Sequence, residues 1–209
     1  MRVAGVDGTK GGWVAIVLDG GRYERDHLIR PIESNFAELA DCAVVAIDVP
    51  IGFGPRAADA AAREFLSGAA STVFSTPPRA LLESPFAGGR GVSAQAHALG
   101  PRIIHVTGLA GSDARFREVH PEVSFRALNG QRPLRHRKKS AGGALERIEL
   151  LRRAGVQLDR LAASGSAPLD DVLDAAVAAW SAQRLASGAA QSLPRPPEEV
   201  AGRAVAIWF

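Results

Sequence analysis

The stretch VAGVDGTKGGWVAIVLDGG, residues 3–21, sets the architecture of this chain. Its first apolar run ends on a carboxylate, Asp7, and a second apolar run begins at Trp13 after a glycine-rich turn. The two runs predict two buried strands joined by a tight turn. The Asp-Gly-Gly at 19–21 then predicts a hairpin into a third, more polar strand at 22–29. A hairpin explains the glycines, but it gives no reason for an acid at the end of an apolar strand.

A later apolar run, CAVVAIDVP at residues 42–50, also leads to an aspartate, Asp48. Continuous apolar runs are typical of central parallel strands, which are buried on both faces. The predicted order is therefore three antiparallel strands, a short helix beginning near Ser34, and a strand parallel to the first. This order brings Asp7 and Asp48 to the carboxyl ends of neighbouring strands, which is the edge where open α/β sheets bind ligands.

The remainder of the chain predicts helices with two further strands. We expect the segment 55–112 to be a mainly helical insert that covers the active-site edge of a single domain spanning residues 1–209. The sequence RPPEEVAGR at 195–203 predicts a linker, and AVAIWF after it predicts a last strand. Apolar periodicity predicts helices at residues 56–67, 92–109, 145–154 and 164–188, and a strand within 114–125.

Composition and charge narrow the class of protein. Hydrophobic residues make up 46% of the chain, enough for a core, and the formal net charge of +3 permits a polyanionic partner without demanding one. The lone cysteine, Cys42, excludes an internal disulfide, and no Cys/His cluster suggests a zinc site. The N-terminal sequence lacks the apolar core of a signal peptide, and no apolar run reaches about 18 residues. We therefore expect a cytoplasmic protein without a membrane span, and its oligomeric state stays open.

Acidic side chains stand at positions where the predicted elements can bring them together. Asp7 and Asp48 each end a strand, Glu122 follows a third possible strand, and three aspartates open the long helix. Mg²⁺ and Mn²⁺ prefer such hard oxygen ligands, and a two-metal site needs several converging carboxylates. Asp171 and Asp174 are three residues apart, so they are neighbours on one surface of the helix. The candidate metal ligands, which are also the candidate catalytic residues, are Asp7, Asp48, Glu122, Asp171 and Asp174.

Each acid also has an ordinary structural interpretation. Asp7 fits a turn, Asp48 fits a cap for the turn that follows it, and Glu122 fits a solvated position. An acid in the first turn of a helix, such as Asp170, stabilises the helix through its dipole. The set of acids indicates a metal site more strongly than any one of them.

A basic segment, RPLRHRKKSAGG at residues 132–143, is the second candidate binding feature. Its arginines and lysines predict contacts with a phosphate backbone, and a solvated loop is the plain alternative. Lys10, close to Asp7 in sequence, is a further candidate for phosphate. His120 fits either a group that orients or protonates a leaving group or a structural histidine. The residues of the segment predicted to contact nucleic acid are Arg135, Arg137, Lys138 and Lys139.

The chain resembles the domain-of-unknown-function family 429, predicted nucleases of the ribonuclease H fold, over nearly its whole length. The motifs that carry the resemblance are GVDGTKGGWVAI, AIDVPIGF, AAREFLSGAASTVFSTPPR, GVSAQAHAL, VHPEVSFRALNG, KKSAGG and DDVLDAAVAAW. The resemblance implies an α/β, ribonuclease H-like core: a five-stranded mixed sheet in the order 3-2-1-4-5, flanked by helices. That order agrees with the strands predicted above.

The resemblance also implies roles for individual residues. By similarity to RuvC-like resolvases, Asp7 would bridge two metal ions, and Asp171 and Asp174 would be the paired acids of the C-terminal helix. Relatives of this fold often carry a glutamate on the fourth strand, where this chain has Asp48, and Glu122 falls within a family motif. Which of these two binds a metal stays open.

The sequence and the resemblance together predict a metal-dependent nuclease that hydrolyses phosphodiester bonds with two Mg²⁺ or Mn²⁺ ions. Its partner would be nucleic acid, DNA or RNA, contacted also by the family-typical Arg79. A second hypothesis is a phosphotransferase or ATP-binding protein of the actin-like fold, because GVDGTKGG resembles the first phosphate loop of sugar kinases. Such kinases pair two domains, and this chain has the length of one. A third hypothesis is a non-catalytic module that binds nucleic acid or protein.

Overall fold

A five-stranded mixed sheet forms the centre of the computed structural model. β1 (Arg2–Thr9), β2 (Gly12–Asp19) and β3 (Arg22–Ile29) are antiparallel neighbours, and β4 (Val44–Ile47) and β5 (Phe116–Glu118) continue the sheet parallel to β1. The strand order is β3-β2-β1-β4-β5, which confirms the predicted order 3-2-1-4-5. The structure describes residues 1–87, 92–200 and 202–209.

Helices occupy each of the four segments where apolar periodicity predicts them, and two short helices, Arg79–Glu83 and Pro121–Leu128, lie outside those segments. The helix predicted at 92–109 is interrupted just before Pro101, as expected, and the short helix predicted near Ser34 is a single 3₁₀ turn, Ala37–Leu39. Among the described residues, none of the helices combines the length and hydropathy that a membrane span requires. The helices are α1 (Ala57–Leu66), α2 (Arg79–Glu83), α3 (Ala94–Ala98), α4 (Gly100–Ser112), α5 (Pro121–Leu128), α6 (Ala141–Arg153) and α7 (Leu169–Ala186).

Each face of the sheet buries its own apolar cluster. Successive residues of β1 point to opposite faces, so Val3 packs in one cluster and Val6 in the other. α7 and α6 cover the first face, where Leu173 and Ile16 join Val3. α4 covers the second face, where Ile103 packs in the cluster that holds Val6. The sheet is therefore covered on both sides, and its carboxyl edge is left to form a site.

Gly5 determines how closely α7 lies on β1. A Cβ atom at Gly5 would lie 1.9 Å from the backbone nitrogen of Ala179 and 2.2 Å from the carbonyl oxygen of Ala175. No side chain fits in that space, so the helix backbone rests directly on the strand. This contact brings the first turns of α7 to the carboxyl edge of β1.

The linker predicted at 195–203 is wrong, because residues 195–200 and 203, all within the described ranges, lie in the strands of a hairpin. β6 (Ser192–Val200) pairs with β7 (Arg203–Trp208) in a second, two-stranded sheet. The pairing is interrupted between Leu193 and Glu198, in the part of β6 that holds its prolines. Proline has no N–H to donate to a strand ladder, which is why the sequence suggests a linker although the flanking residues pair.

Candidate metal centre

Three aspartates from separate elements converge at the carboxyl edge of the sheet. One carboxylate oxygen from each of Asp7, Asp48 and Asp174 lies within 4.8 Å of the other two. β1 and β4 run parallel with Val6 paired to Ile47, so Asp7 and Asp48 come directly after a matched pair of residues. Asp174 belongs to α7, which lies directly on β1. These three residues are called the aspartate trio below.

The carboxylates of the aspartate trio are short of positive charge. Asp7 and Asp174 are only 8% and 2% exposed. Burial, together with repulsion from Asp48 and Asp174, raises the pKa of Asp7 well above its usual value. Burial also raises the pKa of Asp48 and of Asp174 to about 7, although Lys138 opposes both shifts. The trio therefore retains protons near neutral pH unless a further cation neutralises it.

Lys138 supplies part of that neutralisation. Its ammonium group is paired with Asp174 Oδ2. Burial opposes its charge, but attraction to Asp174, Asp7 and Asp48 raises the pKa of Lys138. Even so, Asp174 Oδ1 is buried without a hydrogen-bond partner among the described residues. An unpaired carboxylate oxygen beside two other carboxylates fits a hard divalent cation such as Mg²⁺ or Mn²⁺.

The aspartate trio opens into a cavity of about 790 Å³. All five predicted acids line this cavity, and three of them form the trio. Asp171, in the first turn of α7, lines the cavity but is outside the trio. The cavity therefore collects more carboxylates than one metal ion needs.

Glu122 follows strand β5 in the chain, as predicted, and lies in the first turn of α5. The strand ends earlier, at Glu118, and Pro121 begins the helix in the position that proline favours. Glu122 accepts a hydrogen bond from Arg147 Nη2 at 2.6 Å. This pair holds Glu122 at the cavity wall, outside the aspartate trio.

Glu118 is a buried cavity-lining acid that the sequence analysis missed. It accepts hydrogen bonds from the backbone N–H of Ile51 at 2.7 Å and from Arg56 Nη2 at 2.8 Å. Arg56 also pairs with Asp59 of α1, and the Arg56 side chain is 5% exposed. Strand alternation puts Phe116 and Glu118 on the same side of β5, and this pattern could have indicated that Glu118 is buried. A strand of three residues is too short for the alternation to be recognised in the sequence.

His120 lines the cavity and contacts a carbonyl oxygen there. Its Nε2 lies 3.3 Å from the carbonyl oxygen of Thr72, which can only accept, so Nε2 carries the proton. Burial lowers the pKa of His120. A lowered pKa disfavours the imidazolium form that could protonate a leaving group, so the structural interpretation of His120 fits better than the acid role.

The predicted phosphate contacts fall into two groups. Lys138 and Lys139 line the cavity. The others are exposed and stand apart from the described lining of the cavity. Lys138 and Lys139 can therefore contact a ligand that also contacts the aspartates. The second group consists of Lys10, Arg79, Arg135 and Arg137.

Comparison with known proteins gives a family and one structural relative. The family described as "Protein of unknown function (DUF429)" matches residues 5–199. The solved structure "Thermus thermophilus RuvC structure" is similar at 14% sequence identity, over 90% of this chain and 98% of that chain, with a TM-score of 0.39. No curated protein matches the chain.

Proposed function

We propose that this chain, which belongs to the DUF429 family, is a metal-dependent nuclease that hydrolyses phosphodiester bonds of nucleic acid. The observation that carries the proposal is the aspartate trio, which is largely buried, short of positive charge and left with one unpaired carboxylate oxygen. Carboxylates that converge in this way are what metal-assisted phosphodiester hydrolysis requires of a protein. The adjoining lysines supply the charge that a phosphate substrate needs.

We propose Mg²⁺ or Mn²⁺ as the cofactor, with two ions bound. The aspartate trio would hold one ion, and Asp171 and Glu122, which line the same cavity, would hold the second together with Asp7. Bound divalent ions supply Lewis-acid activation of water and of the phosphate. Asp48 and Asp174 must lose their protons to serve as ligands, so the site becomes competent as the pH rises through about 7.

Lys138 and Lys139 are the groups of this chain that would bind the scissile phosphate. Lys138 is paired with Asp174. A metal ion bound by the aspartate trio would replace Lys138 as the partner of Asp174, and the ammonium group could then contact a phosphate. Lys139 is exposed at the cavity wall and has no such constraint on reaching a phosphate. Phosphates farther along the strand would be contacted by the exposed Lys10, Arg79, Arg135 and Arg137.

The segment 55–112 contributes part of the cavity wall. We propose a single domain in which the segment 55–112 covers the active-site edge. Ser71, Phe74, Gln95 and Leu99 of this segment line the cavity together with the acids. The substrate would therefore lie between the sheet edge and this segment.

Cleavage of end-labelled DNA and RNA oligonucleotides in Mn²⁺ tests the proposed activity. We expect the wild-type chain to cleave, Asp7→Asn to lose metal-dependent cleavage, and Asp159→Asn to retain it. Asp159 is a matched control because it is an exposed aspartate that stands apart from the described lining of the cavity.

Full cleavage by a clean preparation of Asp7→Asn would show that the site assignment is wrong. Tight binding of nucleic acid by the wild type without turnover in Mn²⁺ would instead favour a binding module. The same samples give both readouts, since a gel reports cleavage and fluorescence anisotropy reports binding.

A further inference from the structure

The cavity beside the aspartate trio has a lining of two chemical kinds. The first kind is charged and includes the aspartates and the lysines. The second kind is uncharged and includes the apolar Phe74 and Leu99 and the amide of Gln95. Charged side chains together with apolar and hydrogen-bonding side chains in one cavity suit a nucleotide, which has a phosphate, a flat apolar base face and a polar base edge. The volume of about 790 Å³ is within the range of sites that enclose a ligand of this size.

The segment that carries Phe74 is anchored to α1. Asp59 Oδ2 accepts a hydrogen bond from the backbone N–H of Thr76 at 2.9 Å. Arg63 Nε donates to the carbonyl oxygen of Val73 at 3.0 Å, and its Nη2 donates to Ser75 Oγ at 2.6 Å. Phe74 lies between these anchored residues and packs against the apolar cluster under the sheet. The position of the Phe74 ring is therefore set by the fold.

The depth of the aspartate trio restricts what can reach it. Asp7 and Asp174 are 8% and 2% exposed, so a phosphate must enter the cavity to come close to them. In a duplex the bases are paired and stacked inside, and a protein meets the backbones and the groove edges. A single strand can turn one nucleotide out of line and offer both its phosphate and its base.

We infer that the substrate class is single-stranded nucleic acid, one nucleotide of which enters the cavity with its base on Phe74. Gln95, which is exposed and whose amide can both donate and accept hydrogen bonds, would contact the edge of that base. This inference rests on the nuclease function proposed above. DNA and RNA share this chemistry, so both are used in the test.

The test measures binding separately from cleavage. Oligonucleotides of about 12 nucleotides that contain 2-aminopurine, as DNA and as RNA, are titrated with the chain in Ca²⁺, which takes the same carboxylate ligands. The same oligonucleotides are also presented in blunt duplexes. We expect single strands to bind at least about tenfold more tightly than duplexes, with quenching of 2-aminopurine as its base meets Phe74.

Two variants distinguish a loss of base stacking from a general loss of folding stability. Phe74→Leu keeps an apolar side chain but removes the aromatic face, and it should weaken single-strand binding about tenfold with little change in Tm. Phe86→Ala is the matched control, because Phe86 is an aromatic residue 47% exposed that stands apart from the cavity as the described residues define it.

The outcomes distinguish this inference from the nuclease proposal. Equal or tighter binding of duplex, unchanged binding by Phe74→Leu, or no binding of either strand form would overturn the inference. Cleavage confined to duplex would overturn it while leaving the nuclease in place. Selective single-strand binding that Phe74→Leu weakens, without cleavage on a gel in Mn²⁺, would support the inference and count against the nuclease.

Discussion

Asp7 is the centre of the proposed site, and its buried carboxyl group destabilises the metal-free fold. Its carboxyl group is buried next to two other acids, and this setting raises the pKa of Asp7 well above its usual value. Ionisable groups with strongly shifted pKa values are typical of functional sites, where activity is retained at a cost in folding stability. A hydrogen-bonded turn residue would have its pKa lowered instead. The direction of the shift thus argues against the simple turn interpretation of Asp7.

Replacing Asp7 by asparagine should stabilise the metal-free protein at neutral pH by about 1–3 kcal/mol. The folded chain keeps a proton on Asp7 at pH values where the unfolded chain has lost it. Stability therefore falls as the pH rises from about 4 toward the raised pKa of Asp7. Asparagine does not titrate, so the gain should be small near pH 5 and larger near pH 8.

Urea midpoints in a chelator measure this gain for the wild type and for Asp7→Asn, with Asp159→Asn as control. An Asp7→Asn protein that is less stable than the wild type near pH 8 would contradict the electrostatic explanation. Addition of Mn²⁺ should then reverse the ranking, because the ion stabilises only the chain that binds it.

The contact between β1 and α7 is the element pairing on which the site geometry depends. It brings Asp174 within reach of Asp7, and the closeness at Gly5 makes this possible. The apolar strands β1, β2 and β4 and the long helix could be predicted from the sequence, because their periodicity is local. The packing distance could not, because a glycine inside a strand is compatible with a bulge, a turn or a close helix.

Gly5→Ala should destabilise the chain by about 3 kcal/mol or more, because its Cβ would overlap the backbone of α7. Metal binding should weaken as well, since any relief of the overlap moves Asp174 away from Asp7. Gly108→Ala is the control: this glycine is within α4, and a Cβ there meets nothing within 4 Å. It should gain about 0.5–1 kcal/mol. Thermal and urea unfolding report both changes, and equal effects at the two positions would contradict the packing explanation.

The site combines residues that lie in recognisable local sequence patterns with ion pairs between residues far apart in the sequence. The members of the aspartate trio could be selected from the sequence because Asp7 and Asp48 each end an apolar run and Asp174 belongs to a strongly patterned helix. The pairs Arg56–Glu118 and Lys138–Asp174 join residues 62 and 36 positions apart. Pairs at such separations produce no periodic pattern, so their partners emerge only from the fold.

The most direct measurement is a calorimetric titration of Mn²⁺ into the purified chain at about pH 6 and about pH 8. We expect saturable binding to the wild type and to Asp159→Asn, tighter at the higher pH because Asp48 and Asp174 have pKa values of about 7 and release protons on binding. Asp7→Asn should lose this binding. Absence of binding to the wild type, or equal binding by Asp7→Asn, would contradict the assignment of the aspartate trio as a metal centre.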